Sequence, residues 1–262
     1  MATEIKRQDK NGNHIVFRPF EKQYRYEVNG EPKKGVTTTI SGRFGANGLI
    51  RWAKKLPLDA LTWQLKDDGQ PIDYITNFVE KIEDKVRKLE NENSTIGTMM
   101  HTLCNQYINN KKPAYPNTEP LKSMFSKFTK WWDKKEYKVL ASEQTCYSVD
   151  LDCCGTFDVI IKNKKGKIIL LDFKTNKDIY SNGPVQIAAY KKLIEDSNNI
   201  KIDMYGVVHI PKDKRAITLD IYTDKPSYLK AFKACQFLDR YDQSFLKRKR
   251  ELTKKKGKKN GK

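Results

Sequence analysis

Alternating and continuous apolar runs in the second half of the chain predict a sheet with flanking helices. Residues 138–149 alternate as a strand does, and residues 155–163 and 167–175 are rich in β-branched and apolar side chains. The polar turn KNKKGK joins the last two strands as a hairpin. A helix over about 184–196, strands over 204–210 and 216–222, and a helix from Pro226 to about residue 248 follow. The predicted fold is mixed α/β (α+β), with a mixed central sheet flanked by helices.

The first half predicts a β-rich entry segment followed by helices. Strands are expected over 14–20, 24–28 and 36–40, the last being the β-branched run VTTTI. Apolar spacing predicts helices over 47–66, broken at Pro57, and over 72–91, 95–110 and 119–135, with Ser94 as an N-cap. We therefore divide the chain into an N-terminal β-rich segment and helical lobe (1–92), a core (93–246) and a basic tail expected to be disordered (247–262).

Charge narrows the class of partner. The 262 residues include 51 Lys and Arg against 32 Asp and Glu, a net charge of +19, and ten of the basic residues fall in the tail. This excess favours a polyanion such as nucleic acid, although a basic RNA-binding protein without chemistry would share it. Five cysteines without CxxC spacing indicate reduced thiols. The sequence shows neither a secretory signal nor a membrane-spanning run, so we expect a cytoplasmic protein, or one in the host cytoplasm if it is viral.

Two carboxylates and a lysine lie where the predicted hairpin strands pair. Asp172 ends an almost fully apolar strand, where a carboxylate is costly to bury unless it is paired or binds a metal. Lys174 projects to the same face by strand alternation, and Asp158 lies on the adjacent antiparallel strand. Carboxylates suit Mg²⁺ or Mn²⁺, and a lysine can stabilise negative charge on a phosphate. The alternative is a structural Asp–Lys pair at a strand end.

Gln186 and Tyr190 follow one turn apart on the next predicted helix, so they share a face. Both have polar tips in the otherwise apolar stretch VQIAAY. They are either ordinary amphipathic packing residues or part of the same site.

Together GTFD, LDFKT and QIAAY, with GTMMH upstream, resemble the PD-(D/E)XK nuclease superfamily and specifically its RecB-like exonuclease branch. The resemblance covers about residues 95–222. It implies that His101, Asp158, Asp172 and the Phe173 carbonyl ligate Mg²⁺ or Mn²⁺ and that Lys174 is the catalytic lysine. Gln186 would position Lys174 or the attacking water, and Tyr190 would contact the phosphate backbone or brace the site. Glu143 matches an acidic position that either approaches the metal or pairs with a base. Only Cys235 lies where some members bind an iron–sulfur cluster, so no cluster is expected.

The N-terminal segment YEVNGEPKKGVTTTI, with LIRWAKK, is similar to a segment of mitochondrial genome maintenance exonucleases and related phage exonucleases. This chain has Lys34-Gly35 where those relatives have Pro-Ser. The similarity implies that the helices before the core form an arch over the site. The predicted DNA contacts are Trp52, which would stack on bases, Arg43 and Arg51, which with Lys54 and Lys55 would line a phosphate path, and Thr175 and Lys177.

These observations predict a metal-dependent deoxyribonuclease, an exonuclease on single-stranded DNA ends that leaves 5′-phosphates. The alternatives are a structure-specific endonuclease on the same core and a catalytically silent DNA-binding subunit. The sequence carries no helicase or ATPase motif, so any helicase or recombination partner would be a separate protein. Polarity and oligomeric state stay open.

Overall fold

The computed structural model describes residues 4–19, 25–44, 47–176 and 181–259, apart from the side chains of residues 42, 44, 47–56, 90 and 252–259. Nine strands and six helices lie within these ranges. The strands are β1 (Ile5–Gln8), β2 (His14–Phe17), β3 (Tyr26–Val28), β4 (Glu31–Gly35), β5 (Lys138–Ser148), β6 (Cys153–Lys162), β7 (Ile168–Lys174), β8 (Met204–His209) and β9 (Thr218–Tyr222). The helices are α1 (Val36–Phe44), α2 (Asn47–Asp67), α3 (Ile72–Ile108), α4 (Leu121–Asp133), α5 (Asn182–Ser197) and α6 (Pro226–Lys259).

The strands form one mixed sheet in the order β1-β2-β3-β4-β6-β7-β8-β9, with β5 paired to the other edge of β6. β7 and β8 are parallel, and so are β4 and the start of β6, whereas the remaining pairs are antiparallel. The predicted fold class, a mixed central sheet flanked by helices, is confirmed. The predicted hairpin is also confirmed, because β6 pairs β7 antiparallel from Val159↔Leu171 to Lys162↔Ile168.

Two apolar layers cover the sheet. On one face, α1, α5 and α6 bury residues such as Ile40, Leu193 and Phe232 against the sheet. On the other face, α3 and α4 bury Met100 and Phe128, among others, against their own side of the sheet. Such burial on both faces explains why β6 and β7 read as nearly continuous apolar runs.

Three predictions about the helices are wrong. Residues 36–40 form the start of α1, not a strand, because Val36 and Ile40 at i and i+4 are both buried against the helical layer and tertiary packing overrides the β-branched propensity. α2 continues through Pro57, since a proline can bend a helix without ending it. α3 is one helix of 37 residues that passes through Ser94 instead of starting there.

The missed continuity of α3 has a local cause. The hydroxyls of Thr95 and Thr98 donate to the carbonyls of Asn91 and Ser94, four residues earlier, so they are satisfied inside the helix instead of capping it. α3 therefore spans the predicted boundary near residue 92, and the division into domains stays a prediction.

The C-terminal helix also exceeds its prediction. α6 continues to Lys259, so residues 247–259 are helical where a disordered tail was expected. Lys, Arg and Glu are good helix formers, and this segment contains no proline. Within the ranges given above, no helix combines the length and apolarity that crossing a bilayer requires.

Candidate active site

The candidate site lies at a gap in the sheet. β5 pairs with one edge of β6 along its length, so β4 and β7 share the opposite edge. Along that edge of β6, β4 pairs only with Cys153 and Cys154. β7 pairs with the same edge from Val159 onward. Residues 155–158, which include the GTFD motif, therefore have no strand partner on that edge among the described residues. Asp158 lies at this gap, between the two helical layers, with its side chain 12% exposed.

Three side chains from three elements converge on this gap. His101 of α3, Glu143 of β5 and Asp158 of β6 each place one ligand atom within 4.8 Å of the others. His101 Nδ1 lies 3.4 Å from Asp158 Oδ1. Burial disfavours the charged imidazole, but the Asp158 carboxylate outweighs it and raises the pKa of His101 to about 9. Conversely, burial would raise the pKa of Asp158, yet His101 holds it below its usual value.

Glu143 reaches this cluster from an unusual backbone conformation. Its φ of 49° lies in the left-handed region, which a non-glycine residue seldom adopts in a strand. The flanking pairs Ser142↔Val159 and Gln144↔Phe157 place Glu143 opposite Asp158. Desolvation, together with the nearby carboxylates of Asp158 and Asp172, raises the pKa of Glu143 to about 7. Backbone strain of this kind is commonly retained at functional sites, where the surrounding structure enforces it.

Asp172 and Lys174 form an ion pair beside the cluster. Lys174 Nζ lies 2.7 Å from Asp172 Oδ2, and the Asp172 side chain is only 6% exposed. Burial raises the pKa of Asp172 despite the neighbouring ammonium, and the repulsion of Asp158 adds to the effect. Burial disfavours the charged form of Lys174, but Asp172 and Asp158 outweigh it and raise its pKa. Lys174 is therefore a cation at neutral pH, held against the acidic cluster.

Phe173 contributes through its backbone. Its N–H donates to Asp158 Oδ2 at 2.6 Å, where the next hydrogen bond of the β6–β7 ladder would otherwise form. The N–H and C=O groups of one strand residue face the same edge, so the Phe173 carbonyl also faces the gap. The Phe173 side chain lies in the apolar layer under α3 and α4, where its ring packs edge-on against His101 at 6.1 Å between centroids. Phe173 thus fixes the orientation of two predicted metal ligands.

The donor set fits a divalent cation. Three carboxylates, Glu143, Asp158 and Asp172, lie around one lysine and one histidine, so acidic groups outnumber basic ones at the site. Desolvation is the main cause that raises the pKa of Glu143, Asp158 and Asp172 add to the rise, and His101 opposes it only in part. In octahedral coordination at about 2.1 Å, ligand atoms are separated by about 3–4 Å, close to the spacing of this cluster. Imidazole and carboxylate are donors that Mn²⁺ accepts and that Mg²⁺ accepts in part.

Gln186 and Tyr190 lie on the opposite side of the gap. Both are buried, and Gln186 Nε2 lies 3.2 Å from the Tyr190 hydroxyl. Thr37, in the first turn of α1, completes a triangle with hydroxyl contacts of 3.3 Å to Tyr190 and 3.4 Å to Gln186. Within the described part of the chain, Gln186 forms no hydrogen bond to Lys174. Sequence reasoning missed Thr37 because VTTTI was interpreted as a strand.

The glycine of GTFD has a steric explanation. A Cβ built on Gly155 would lie 2.5 Å from Cε1 and 2.9 Å from Cδ1 of the Tyr190 ring. Real Cβ atoms do not approach this closely, so only glycine allows the tyrosine to pack over β6. The motifs GTFD and QIAAY therefore meet in one contact, between Gly155 and the ring of Tyr190.

The structure describes the side chains of only two of the five predicted DNA contacts, Arg43 and Thr175. Arg43 is described, and its guanidinium pairs with Asp242 of α6 at 2.6 Å. Thr175 is only 7% exposed, and a Cβ on Gly97 of α3 would lie 3.1 Å from its hydroxyl oxygen. The side chains of Arg51 and Trp52, and the whole of Lys177, lie outside the described residues. A role in DNA binding stays a prediction for all five.

No family profile matches the chain, and no curated protein matches it in sequence. A solved structure from Eubacterium rectale, provisionally named an exonuclease, aligns with 53% of this chain and 62% of its own, at 9% identity and a TM-score of 0.38. The protein SSO0001 aligns with 44% of this chain and 57% of its own, at 16% identity and a TM-score of 0.28. The chain thus spans less than two thirds of either structure.

Proposed function

We propose that this chain is a divalent-cation-dependent deoxyribonuclease that hydrolyses phosphodiester bonds from single-stranded DNA ends. The observation that carries the proposal is the convergence of His101, Glu143 and Asp158 within 4.8 Å, with the Lys174–Asp172 pair beside them. A set of candidate metal ligands next to a half-buried, charged lysine is a suitable arrangement for phosphoryl chemistry and has little use in a packing role. The net charge of +19 supports a polyanionic substrate.

A divalent cation held there supplies a Lewis acid that offsets the charge of the scissile phosphate and acidifies water. The chain's own groups prepare the site. The Phe173 N–H and His101 fix the two oxygens of Asp158, so that carboxylate has a single orientation. Asp172 keeps Lys174 charged. The Lys174 ammonium can donate to a phosphate oxygen as negative charge develops on that oxygen in the transition state.

The wall opposite the metal-ligating set comes from α5 and α1. Tyr190 packs on Gly155, and its hydroxyl is held by Gln186 and Thr37. Thr37 is exposed at the gap, so a substrate phosphate can reach the edge of this triangle. We assign Tyr190 and Gln186 the role of holding this wall of the site in place. The cation at the opposite wall would be Mg²⁺ or Mn²⁺.

The resemblance of GTFD, LDFKT, QIAAY and GTMMH to the RecB-like branch of the PD-(D/E)XK superfamily supports the same assignment, and we propose membership of that branch. The preference for single-stranded ends derives from the resemblance of the N-terminal segment and the expected arch.

The test is a time course on end-labelled linear and closed circular single-stranded DNA, with Mg²⁺, Mn²⁺ or EDTA. Metal-dependent loss of the linear substrate alone, abolished by Lys174→Ala, supports the exonuclease, and the label gives its polarity. Cutting of the circle would replace it with an endonuclease on the same core. DNA binding without cutting in either metal would refute the proposed activity and leave a DNA-binding subunit.

A further inference from the structure

A deep groove lies beside the candidate site, on the face covered by α3 and α4. It encloses about 1030 Å³ between the end of α3, residues 109–115, α4 and the first residues of β5. None of the residues assigned to the nuclease site lines it. Its walls combine aromatic rings and lysines, and each class of side chain indicates what the groove can bind.

The aromatic residues of the groove pack against buried aromatic rings. Tyr115 is 54% exposed, and its ring centroid lies 5.2 Å from that of the buried Phe125. Tyr137, which also lines the groove, packs edge-on against Trp132 at 5.5 Å between ring centroids. A ring that is buried on one side and open on the other loses little freedom when a planar ligand stacks on it. These are suitable platforms for nucleobases.

The groove carries a net positive charge, because its lining includes three lysines and one carboxylate. Lys111, Lys112 and Lys138 are exposed, and none forms an ion pair with any described residue. The acidic group at this site, Asp133, accepts hydrogen bonds of 2.8 and 2.9 Å from the Tyr107 hydroxyl. The groove therefore attracts anions along the same wall that presents the rings.

The groove lies close to the candidate site along two elements, β5 and α3. Asn109, which lines the groove, donates to the hydroxyl of Ser142 at 2.9 Å, and Ser142 directly precedes Glu143. Ala141 lines the groove and is two residues from Glu143, about 7 Å along a strand. Ile108 also lines it and is seven residues from His101, about 10 Å along a helix. A chain lying in the groove thus reaches the metal-ligating set within a short distance.

We propose that this groove binds a segment of unpaired nucleic acid, with bases on Tyr115 and Tyr137 and phosphates on the three lysines. The inference rests on the proposed function, since it assigns a track for the substrate of that site. Unpaired bases are required because a duplex keeps its base faces stacked inside the helix, out of reach of side-chain rings. An acidic peptide would satisfy the lysines but leave the open ring faces without a planar partner.

Binding is measured by fluorescence anisotropy of a labelled oligothymidylate in EDTA, so that cleavage does not interfere. The variant Lys111→Ala/Lys112→Ala/Lys138→Ala should bind more weakly and lower the slope of log affinity against log salt by about 2, because each single-strand phosphate contact contributes about 0.7. The matched control is Lys225→Ala/Lys230→Ala/Lys233→Ala. It removes equal charge at exposed positions at and near the start of α6, on the opposite layer, and should leave the slope unchanged.

A second pair of variants tests stacking at a position where folding is not at risk. Tyr115→Leu should weaken binding about fivefold or more, whereas Tyr115→Phe retains the ring and should bind as the wild type does. On an abasic oligonucleotide of equal length the penalty of Tyr115→Leu should disappear.

An unchanged salt slope in the triple-lysine variant, or an equal Tyr115→Leu penalty on the abasic strand, would overturn the proposal. So would an oligoglutamate peptide that competes as well as the oligonucleotide, which would assign the groove to acidic polypeptides. Because these measurements need no cleavage, a wild type that binds through the groove but never cuts would refute only the proposed nuclease activity. A protein that cuts normally in all groove variants, with unchanged binding, would refute only the groove.

Discussion

Replacing Gly155 with alanine tests the contact that joins the two halves of the candidate site. The new Cβ would lie 2.5 and 2.9 Å from two carbons of the Tyr190 ring and 3.2 Å from Cδ2 of Leu193. Carbon atoms at contact are separated by about 3.5–4.0 Å, so the ring must retreat by about 1 Å. Its hydroxyl bonds of 3.2 Å to Gln186 and 3.3 Å to Thr37 are then lost.

The expected loss of stability follows from these terms. Overpacking a close-packed site typically destabilises by about 1–3 kcal/mol. Two lost hydrogen bonds add about 1 kcal/mol each, and the lower entropy of the unfolded alanine chain offsets about 0.4–1 kcal/mol. The Gly155→Ala protein should therefore have a free energy of unfolding about 2–4.5 kcal/mol lower than the wild type, measured by urea denaturation. Its cleavage rate should fall at a temperature where it is still folded.

The partner variant Tyr190→Leu makes the test specific. Removing the ring removes the clash, so the double variant should be destabilised by less than the sum of the two single changes, with a coupling of about 1 kcal/mol or more. If Gly155→Ala changes the free energy of unfolding by less than about 0.5 kcal/mol, or the two changes are additive, the steric reasoning is wrong. A loss of stability with full coupling but normal cleavage would instead limit Tyr190 to a packing role.

Three further outcomes are expected. Lys174→Ala should reduce cleavage at least about 100-fold, since it removes a preorganised charge, while oligonucleotide affinity in EDTA changes little; near-normal turnover would contradict a catalytic role. Mn²⁺ at about 100 times its dissociation constant should raise the free energy of unfolding by about 2.7 kcal/mol, and chelation or Asp158→Asn should remove this gain; an equal melting shift in Asp158→Asn would place the cation elsewhere. Thr37→Val should cost about 1 kcal/mol of stability and lower kcat, whereas Thr37→Ser should retain both; equal effects of the two variants would exclude the hydroxyl contact.

The hairpin that carries the acidic residues could be predicted because local and long-range signals agree there. The turn KNKKGK is polar, and both flanking strands are apolar and β-branched, so a hairpin is the only compact arrangement of them. Its register then places Asp158 opposite Asp172, as observed from the neighbouring pair Val159↔Leu171. The convergence of His101 and Glu143 on the same point was available only through the family resemblance, because α3 and β5 meet it by tertiary packing.

Where the prediction failed, two physical effects competed. The run VTTTI has strand propensity, but β4 ends at Gly35 and the chain turns away from the sheet, so Val36 and Ile40 bury themselves as a helix against α5 and α6. Propensity is a weak preference that burial overrides. The error concealed Thr37, whose hydroxyl reaches Tyr190 only because the first turn of α1 stands at the gap.

Two glycines set the dimensions of the candidate site from opposite sides. Gly155 lets Tyr190 of α5 approach β6, and Gly97 lets α3 approach the end of β7, where a Cβ would lie 3.1 Å from the Thr175 hydroxyl. His101 is four residues after Gly97, one turn along the same helix, so the closeness of α3 to the sheet controls the separation of His101 from Asp158. A larger residue at either glycine would widen the gap from one side only. Gly97 of GTMMH and Gly155 of GTFD are thus explained by the close approach of a neighbouring side chain rather than by backbone conformation. The sequence shows where the two glycines stand, but only the structure shows which side chains approach them.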